Sequence, residues 1–406
     1  ATYASVEKMT INGVEISGEI TSFAIPDEVK ADKERHGLQN VIVTVKDEQG
    51  YSHDLKVPVI LVTEEIKDLN GLNAALKGEG DEYAIYGYYK LVADLGAANY
   101  NGINNDSSNK NWQNVDGLYG FRGTFDGNDK SISAIIYHNG IFGIVGKGAY
   151  IKNLTVNSYS YANGRTILAR TITEATIENV TINVISGSSN SYYAEGGVIT
   201  ALLSHSSKYI NVKIKSSSDL DTLFGKSYGN YKTEKANTFV GCVVNAKSLA
   251  GLVHSNAVIP ATGIDGLEII LFPDDIVAEE QLEIGNEYTI SLGSVVAEIT
   301  GITLGEEIFD AYSFADGVLT VNADAFGVTD AGNKIFAVRG KNADGCTVNV
   351  NVVIEAEFKA TAVTLDGTRE IVLSDADGYA LDLGDYSSAT VLSAVLGGDS
   401  VSYANG

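Results

Sequence analysis

One hexapeptide pattern constrains this chain more than any other feature. Residues 151–156 read IKNLTV, residues 177–182 read IENVTI and residues 209–214 read YINVKI. Each alternates apolar and other residues, with an asparagine third. Asn153, Asn179 and Asn211 therefore recur after 26 and 32 residues. Residues 239–244 (FVGCVV) fit with Gly241 in the asparagine position, and residues 132–136 (ISAII) fit upstream with Ala134. A second family alternates with the first: residues 140–143 (GIFG), 166–169 (TILA), 197–200 (GVIT), 222–225 (TLFG) and 250–253 (AGLV). Short β-branched segments repeated in this way bury their apolar faces only by stacking. They predict a parallel solenoid, each coil about 4.8 Å above the last. Six or so coils would make a rod roughly 30 Å long. The small residues of the second family suit tight corners. The asparagine row reads as a ladder of stacked amides that satisfies backbone groups at a bend.

The solenoid texture runs over residues 64–262. It opens with residues 63–76 (TEEIKDLNGLNAAL), where Thr63 is a candidate N-cap and acidic residues fill the first turn. Ile66, Leu69, Leu72 and Leu76 share roughly one face, which predicts an amphipathic helix ending at Gly78. Such a helix would cover the first coil, whose open strand edge would otherwise invite aggregation.

The flanks repeat each other. Residues 6–16 (VEKMTINGVEI) match 297–308 (AEITGITLGEEI), and the hairpin pattern of residues 37–63 matches that of 332–356. Gly13 to Gly305 is 292 residues and Gly50 to Gly345 is 295, so one module occurs twice. Residues 393–406 (SAVLGGDSVSYANG) resemble 301–317 and begin a third copy. The expected division is a first module at 1–63, the solenoid at 64–262, a second module at 263–358 and a partial module or donor segment at 359–406. The first module lacks a counterpart of residues 267–293, so it is expected to be incomplete. Neighbouring modules of a longer chain would supply the missing strands most simply. The alternative is strand addition from residues 359–406 of another molecule, head to tail.

Composition bounds the partners. A net charge of −24 repels phosphate backbones and anionic lipid. Nucleic acid and membrane insertion are therefore not expected. No apolar run approaches the length of a membrane span. Cys242 and Cys346 fall in different modules and read as buried small hydrophobes.

Residues 121–133 (FRGTFDGNDKSIS), then GIFG at 140–143 and AYIKNL at 149–154, resemble the signature of GLUG-motif and pectate-lyase-like β-helix repeats. Residues 88–95 (YYKLVADL) resemble the segment that precedes it. Such repeats occur in surface proteins of bacteria, especially gut Firmicutes, beside bacterial immunoglobulin-like domains similar to the flanking modules here. The resemblance implies an all-β protein: a short right-handed parallel β-helix with one capping helix, flanked by immunoglobulin-like β-sandwich modules. It also implies secretion and display or adhesion at a cell surface. It brings no catalytic residues with it.

Parallel β-helices also carry polysaccharide lyases and glycoside hydrolases, which need paired carboxylates or a base beside an acidic cluster. Asp126 and Asp129 are the candidate pair. Residues 125–129 (FDGND) read first as a turn in which Asp and Asn bond local backbone and Gly supplies a positive φ. Lys130, Arg165 and Arg170 have no compact acidic cluster beside them, and His138, His205 and His254 show no partner at motif spacing. The glycines of residues 140–148 suit coil corners, because no helix follows them to make a phosphate loop. Calcium on scattered acids such as Asp274 and Asp275 is a weak expectation, and no other cofactor is expected. Tyr159, Tyr161, Tyr192, Tyr193, Tyr228 and Tyr231 lie in connections between the strand families. They are the candidate binding residues, for sugar rings or a protein surface. The sequence thus favours a non-enzymatic extracellular protein that binds a glycan or a host or bacterial surface protein. A carbohydrate-active enzyme, or a self-assembling filament or layer subunit, is the alternative.

Overall fold

The computed structural model describes residues 3–77, 86–101, 120–137, 139–159, 166–185, 196–225, 237–253, 264–278, 282–283, 286–322, 332–357, 395–396 and 399–400. Over these residues the protein is mostly β, with a β-solenoid of about five turns, extra antiparallel sheets and two α-helices.

Each solenoid coil offers three strand faces. The first face stacks Glu64–Ile66, Tyr88–Leu91, the starts of Thr124–Tyr137, Tyr150–Ser158 and Thr176–Val184, then Lys208–Ile210 and Thr238–Val240. The second face stacks Leu95–Asn101, the ends of the same three long strands, then Lys213–Ser216, Cys242–Ala246 and Leu267–Leu271. The third face stacks Ile144–Val145, Ala169–Thr173, Thr200–His205, Asp219–Phe224 and Ser248–Val253. All these pairings are parallel, as the alternating families predict.

Stacking in register makes rows. Tyr89, Phe125, Ile151, Ile177, Tyr209 and Phe239 oppose one another in turn and form one inner row, each buried. Every coil thus buries its own apolar rung only because a neighbour covers it. The second sequence family does the same at a corner. Ile141 and Phe142 donate backbone N–H bonds to Ile167 and Leu168, Ile167 and Ala169 to Val198 and Ile199, and Val198 and Ile199 to Thr222 and Leu223.

The solenoid's start differs from the helix expected over 63–76. Glu64–Ile66 is a strand, and the helix is Leu69–Lys77. Thr63 caps nothing there: its Oγ1 accepts the Tyr88 N–H at 2.8 Å, while Asp68 Oδ1 takes the Gly71 N–H at 2.9 Å near the helix start. A strand partner 25 residues away outcompetes the first helical turn, whose nucleation gains little. Leu72, Ala75 and Leu76 of the helix are buried in one cluster with Ile66, Leu91 and Tyr100 of the first coil.

At the other end the sheet does not stop. Ile270 and Leu271 pair in parallel with Thr347 and Val348. Thr347–Glu357 then pairs antiparallel with Gly332–Lys341, and that strand with Glu298–Leu304. A three-stranded sheet of Glu287–Ser291, Val318–Asn322 and Tyr312–Ala315 contributes Ile290, Leu319 and Val321 to the same buried cluster as Val338, Val350 and Val352.

Residues 3–61 have a separate core around Met9, Ile11, Val41, Val43 and Val45. Their hairpin repeats that of 332–357: Val41 opposes Val57 and Val43 opposes Leu55, as Phe336 opposes Val352 and Val338 opposes Val350. The Ile16 N–H bonds Met9 O at 2.9 Å, and the Phe309 N–H bonds Ile302 O at 2.9 Å. Covering differs. Leu55 and Val57 are 36% and 45% exposed, whereas Val350 and Val352 are 2% and 0%. The small sheet that closes the later core is reduced here to a hairpin of Gly18–Glu19 and Ser22–Phe23. By itself, the 357–406 unit shows Val395–Leu396 paired with Asp399–Ser400. Cys242 and Cys346 are both free and buried.

Candidate functional site on the outer face of the solenoid

The corner between the first and second faces carries the asparagine row. Asn153, Asn179 and Asn211 have φ of 52°, 53° and 50°, the left-handed region that asparagine tolerates better than most residues. With the backbone bent there, each side chain points along the stack. Asn179 Nδ2 donates to Asn153 Oδ1 at 3.2 Å, and Asn211 Nδ2 to Asn179 Oδ1 at 3.1 Å. The amides thus bond each other, where the sequence pattern suggested that they serve backbone groups. Gly241 takes the next corner, with φ of 62°, and adds no amide.

Asp126 ends the row on the other side. Asp126 opposes Lys152 and Lys130 opposes Leu154, so Gly127, Asn128 and Asp129 all stand opposite Asn153 alone. The wider corner brings the Asp126 carboxylate, not an asparagine, above Asn153. Asp126 Oδ1 accepts Asn153 Nδ2 at 3.1 Å and the Asn128 N–H at 2.9 Å. Its Oδ2 accepts the Tyr88 hydroxyl and lies 3.4 Å from Lys152 Nζ. Burial pushes this carboxyl's pKa up, but the Tyr88, Asn128 and Asn153 hydrogen bonds and the Lys152 charge together hold it below the ordinary value. The FDGND turn also differs in detail from expectation. The positive φ falls on Asn128 and Asp129, not on Gly127. Gly127 is needed for closeness, since a Cβ there would sit 2.3 Å from Asn153 O.

An ionised carboxylate has about four acceptor sites; Asp126 takes hydrogen bonds from Tyr88, Asn128 and Asn153 and pairs with Lys152. With its pKa held below the ordinary value, it is ionised near neutrality and is no proton donor there. Asp129 is exposed on the turn while Asp126 is buried. The two therefore differ in setting.

Beside the amide row runs a row of alternating charge that the sequence pattern does not display: Glu65, Lys90, Asp126, Lys152 and Glu178 oppose one another in turn. Tyr150, in the adjacent outer row, donates its hydroxyl to Glu178. Burial, then that bond, pushes the Tyr150 phenol up to about 12. Lys152 Nζ lies 5.3 Å from the Tyr88 ring centre and 5.5 Å from that of Tyr150. A second amide row accompanies the first. Asn183 Nδ2 donates to Asn157 Oδ1 at 2.8 Å, and Asn157 Nδ2 to Ser133 Oγ at 2.9 Å. Its signal is present in the sequence, because Asn157 and Asn183 share the 26-residue offset of Asn153 and Asn179.

Of the candidate binding tyrosines, Tyr159 follows the end of the Tyr150–Ser158 strand and is 47% exposed. Tyr161, Tyr192, Tyr193, Tyr228 and Tyr231 lie outside the described residues, as do Arg165, His138 and His254.

Asp274 pairs with Lys247 at 2.5 Å and Asp275 accepts Asn351 Nδ2 at 3.0 Å, so each carboxylate has its own protein donor. Among the described residues no three potential metal ligands gather. No helix of the described residues is long and apolar enough to cross a membrane. Neither protein-family models, nor curated proteins, nor solved structures gave a match to this chain.

Proposed function

We propose that this chain is a non-catalytic display and binding protein of a bacterial cell surface. In this reading the solenoid is a right-handed β-helix that presents a ligand face, and the flanking antiparallel parts are immunoglobulin-like stalk modules. The observation that carries it is the engagement of Asp126 by hydrogen bonds from Tyr88, Asn128 and Asn153 and by the Lys152 ion pair. This buried carboxylate of the outer face is spent on holding coils in register. Repeated rows on a rigid parallel stack favour presentation of a fixed surface over chemistry. The test is a glycan array together with a depolymerisation screen on pectin, alginate and glycosaminoglycans. Binding without turnover is the expected result. Turnover that disappears in Asp126→Asn or Asp129→Asn would overturn the reading in favour of an enzyme.

A further inference from the structure

We propose that the outer surface around Asn211 binds an anionic polysaccharide. This inference rests on the binding reading above and names its ligand class.

The coil at 208–216 is unlike its neighbours. Its outward positions include Lys208, Lys213 and Lys215, all exposed. The residues opposite them on one side are Thr176, Thr181 and Asn183, and on the other Thr238, Val243 and Asn245. No acidic residue stands in any of those positions. The acidic residues nearby in the stack are Glu178, which stands opposite Ile210 and is engaged by Tyr150, and Glu268, which stands opposite Val243 and so two coils from Lys213. In a chain of net charge −24, three adjoining outward lysines with no acidic residue opposite them are unusual. Lys213 and Lys215 sit on the same side of one strand, about 7 Å apart.

The amide row supplies a second, independent feature at the same place. Each amide oxygen in it accepts from the next coil, until Asn211. There Gly241 offers no side chain, and a Cβ at Gly241 would meet Asn211 Oδ1 at 2.8 Å. Asn211 is exposed, and among the described residues its oxygen has no side-chain donor from the coil above. Val240, 46% exposed, borders it. An open amide acceptor suits a sugar hydroxyl, and the ammonium groups suit carboxylate or sulfate on the same polymer. The net negative field that counts against a phosphate backbone opposes this polymer too. It is screened beyond about 8 Å at physiological salt, so the three lysines have to outweigh it only locally.

The test uses the full chain with polygalacturonate oligomers and heparin as probes, and dextran and duplex DNA as controls. The wild type is expected to bind one of the two acidic polysaccharides, more weakly as salt rises, and not dextran. Replacing Lys208, Lys213 and Lys215 together by Ser is expected to weaken binding at least tenfold. Gly241→Asn, which would close the Asn211 acceptor, is expected to weaken it severalfold with the lysines intact. The inference is overturned if the triple variant binds like wild type, if neither polysaccharide binds, or if DNA binds as tightly as they do. A neutral glycan found on the array and indifferent to the lysines would sink this inference alone; an array with no ligand at all would sink the binding reading too.

Discussion

Asn153 Nδ2 donates to Asp126 Oδ1 at 3.1 Å, which makes a carboxylate the terminal rung of a row of amides. The row therefore has a polarity. Its Asp126 end is capped by charge and its Asn211 end is open, so substitutions at the two ends should have different consequences.

Asp126→Asn should keep the fold and lower its stability at neutral pH by about 1–3 kcal/mol, because hydrogen bonds to a charged acceptor become neutral ones. The folded-state pKa of Asp126 is lowered, so its contribution is present above the ordinary carboxylate range and is lost as pH falls through the lowered value. The gap between wild type and variant should therefore narrow below about pH 4. Thermal melts at neutral and acid pH check this. A gap that stays constant with pH would refute the role of the charge.

The left-handed corner separates two costs. Asn179→Gly loses the amide bonds but fits φ of 53°, whereas Asn179→Ala loses the bonds and strains the backbone by about 1–2 kcal/mol more. At Gly241 the order reverses in kind: Asn should be tolerated within about 1 kcal/mol, and Val should be severely destabilising. Denaturant titrations of the four variants test this ranking. Equal costs for Gly and Ala at 179 would show that the corner's φ is unimportant.

Tyr150 should ionise late. Its folded pKa is raised to about 12, first by burial and then by Glu178. A raised value contributes stability below the ordinary phenol pKa of about 10 that is lost as pH climbs toward 12. Ultraviolet absorbance titration of wild type against Tyr150→Phe isolates this phenol. Titration with the bulk of the tyrosines would contradict the Glu178 bond.

The two equivalent hairpins should respond unequally. Val352→Ala removes methyl groups from a fully buried site and should cost about 2 kcal/mol or more, while Val57→Ala should cost under about 1 kcal/mol. Calorimetry of both variants decides. Equal losses would mean that Val57 is covered in solution.

What the sequence revealed follows from how the information is stored. Parallel stacking, the two strand families and the Asn153–Asn179–Asn211 alignment were legible because each coil repeats one local pattern. Asp126 was not, since two extra residues in its corner displace it from the asparagine register. The second amide row left a trace in the 26-residue offset of Asn157 and Asn183, but Lys215 breaks it after one repeat, so it does not stand out as a pattern. The strand at Glu64–Ile66 was read as helix because its partner, Tyr88–Leu91, is remote in sequence and the acidic residues also suit a helix start. The charge row needed the register itself, which no local pattern states.

The continuous sheet from Glu64–Ile66 to Thr347–Glu357 also sets how the molecule would yield under tension. Its hydrogen bonds run along the stacking direction, so a pull between the two antiparallel regions loads them in series. Strands then separate in succession, not all at once. The amide bonds end at Asn211, so the steps from there to Gly241 and on to Leu267–Leu271 are held without them, and rupture should begin on that side of Asn211. The solenoid would lengthen by one coil at a time, as a shock absorber whose weaker half is already marked.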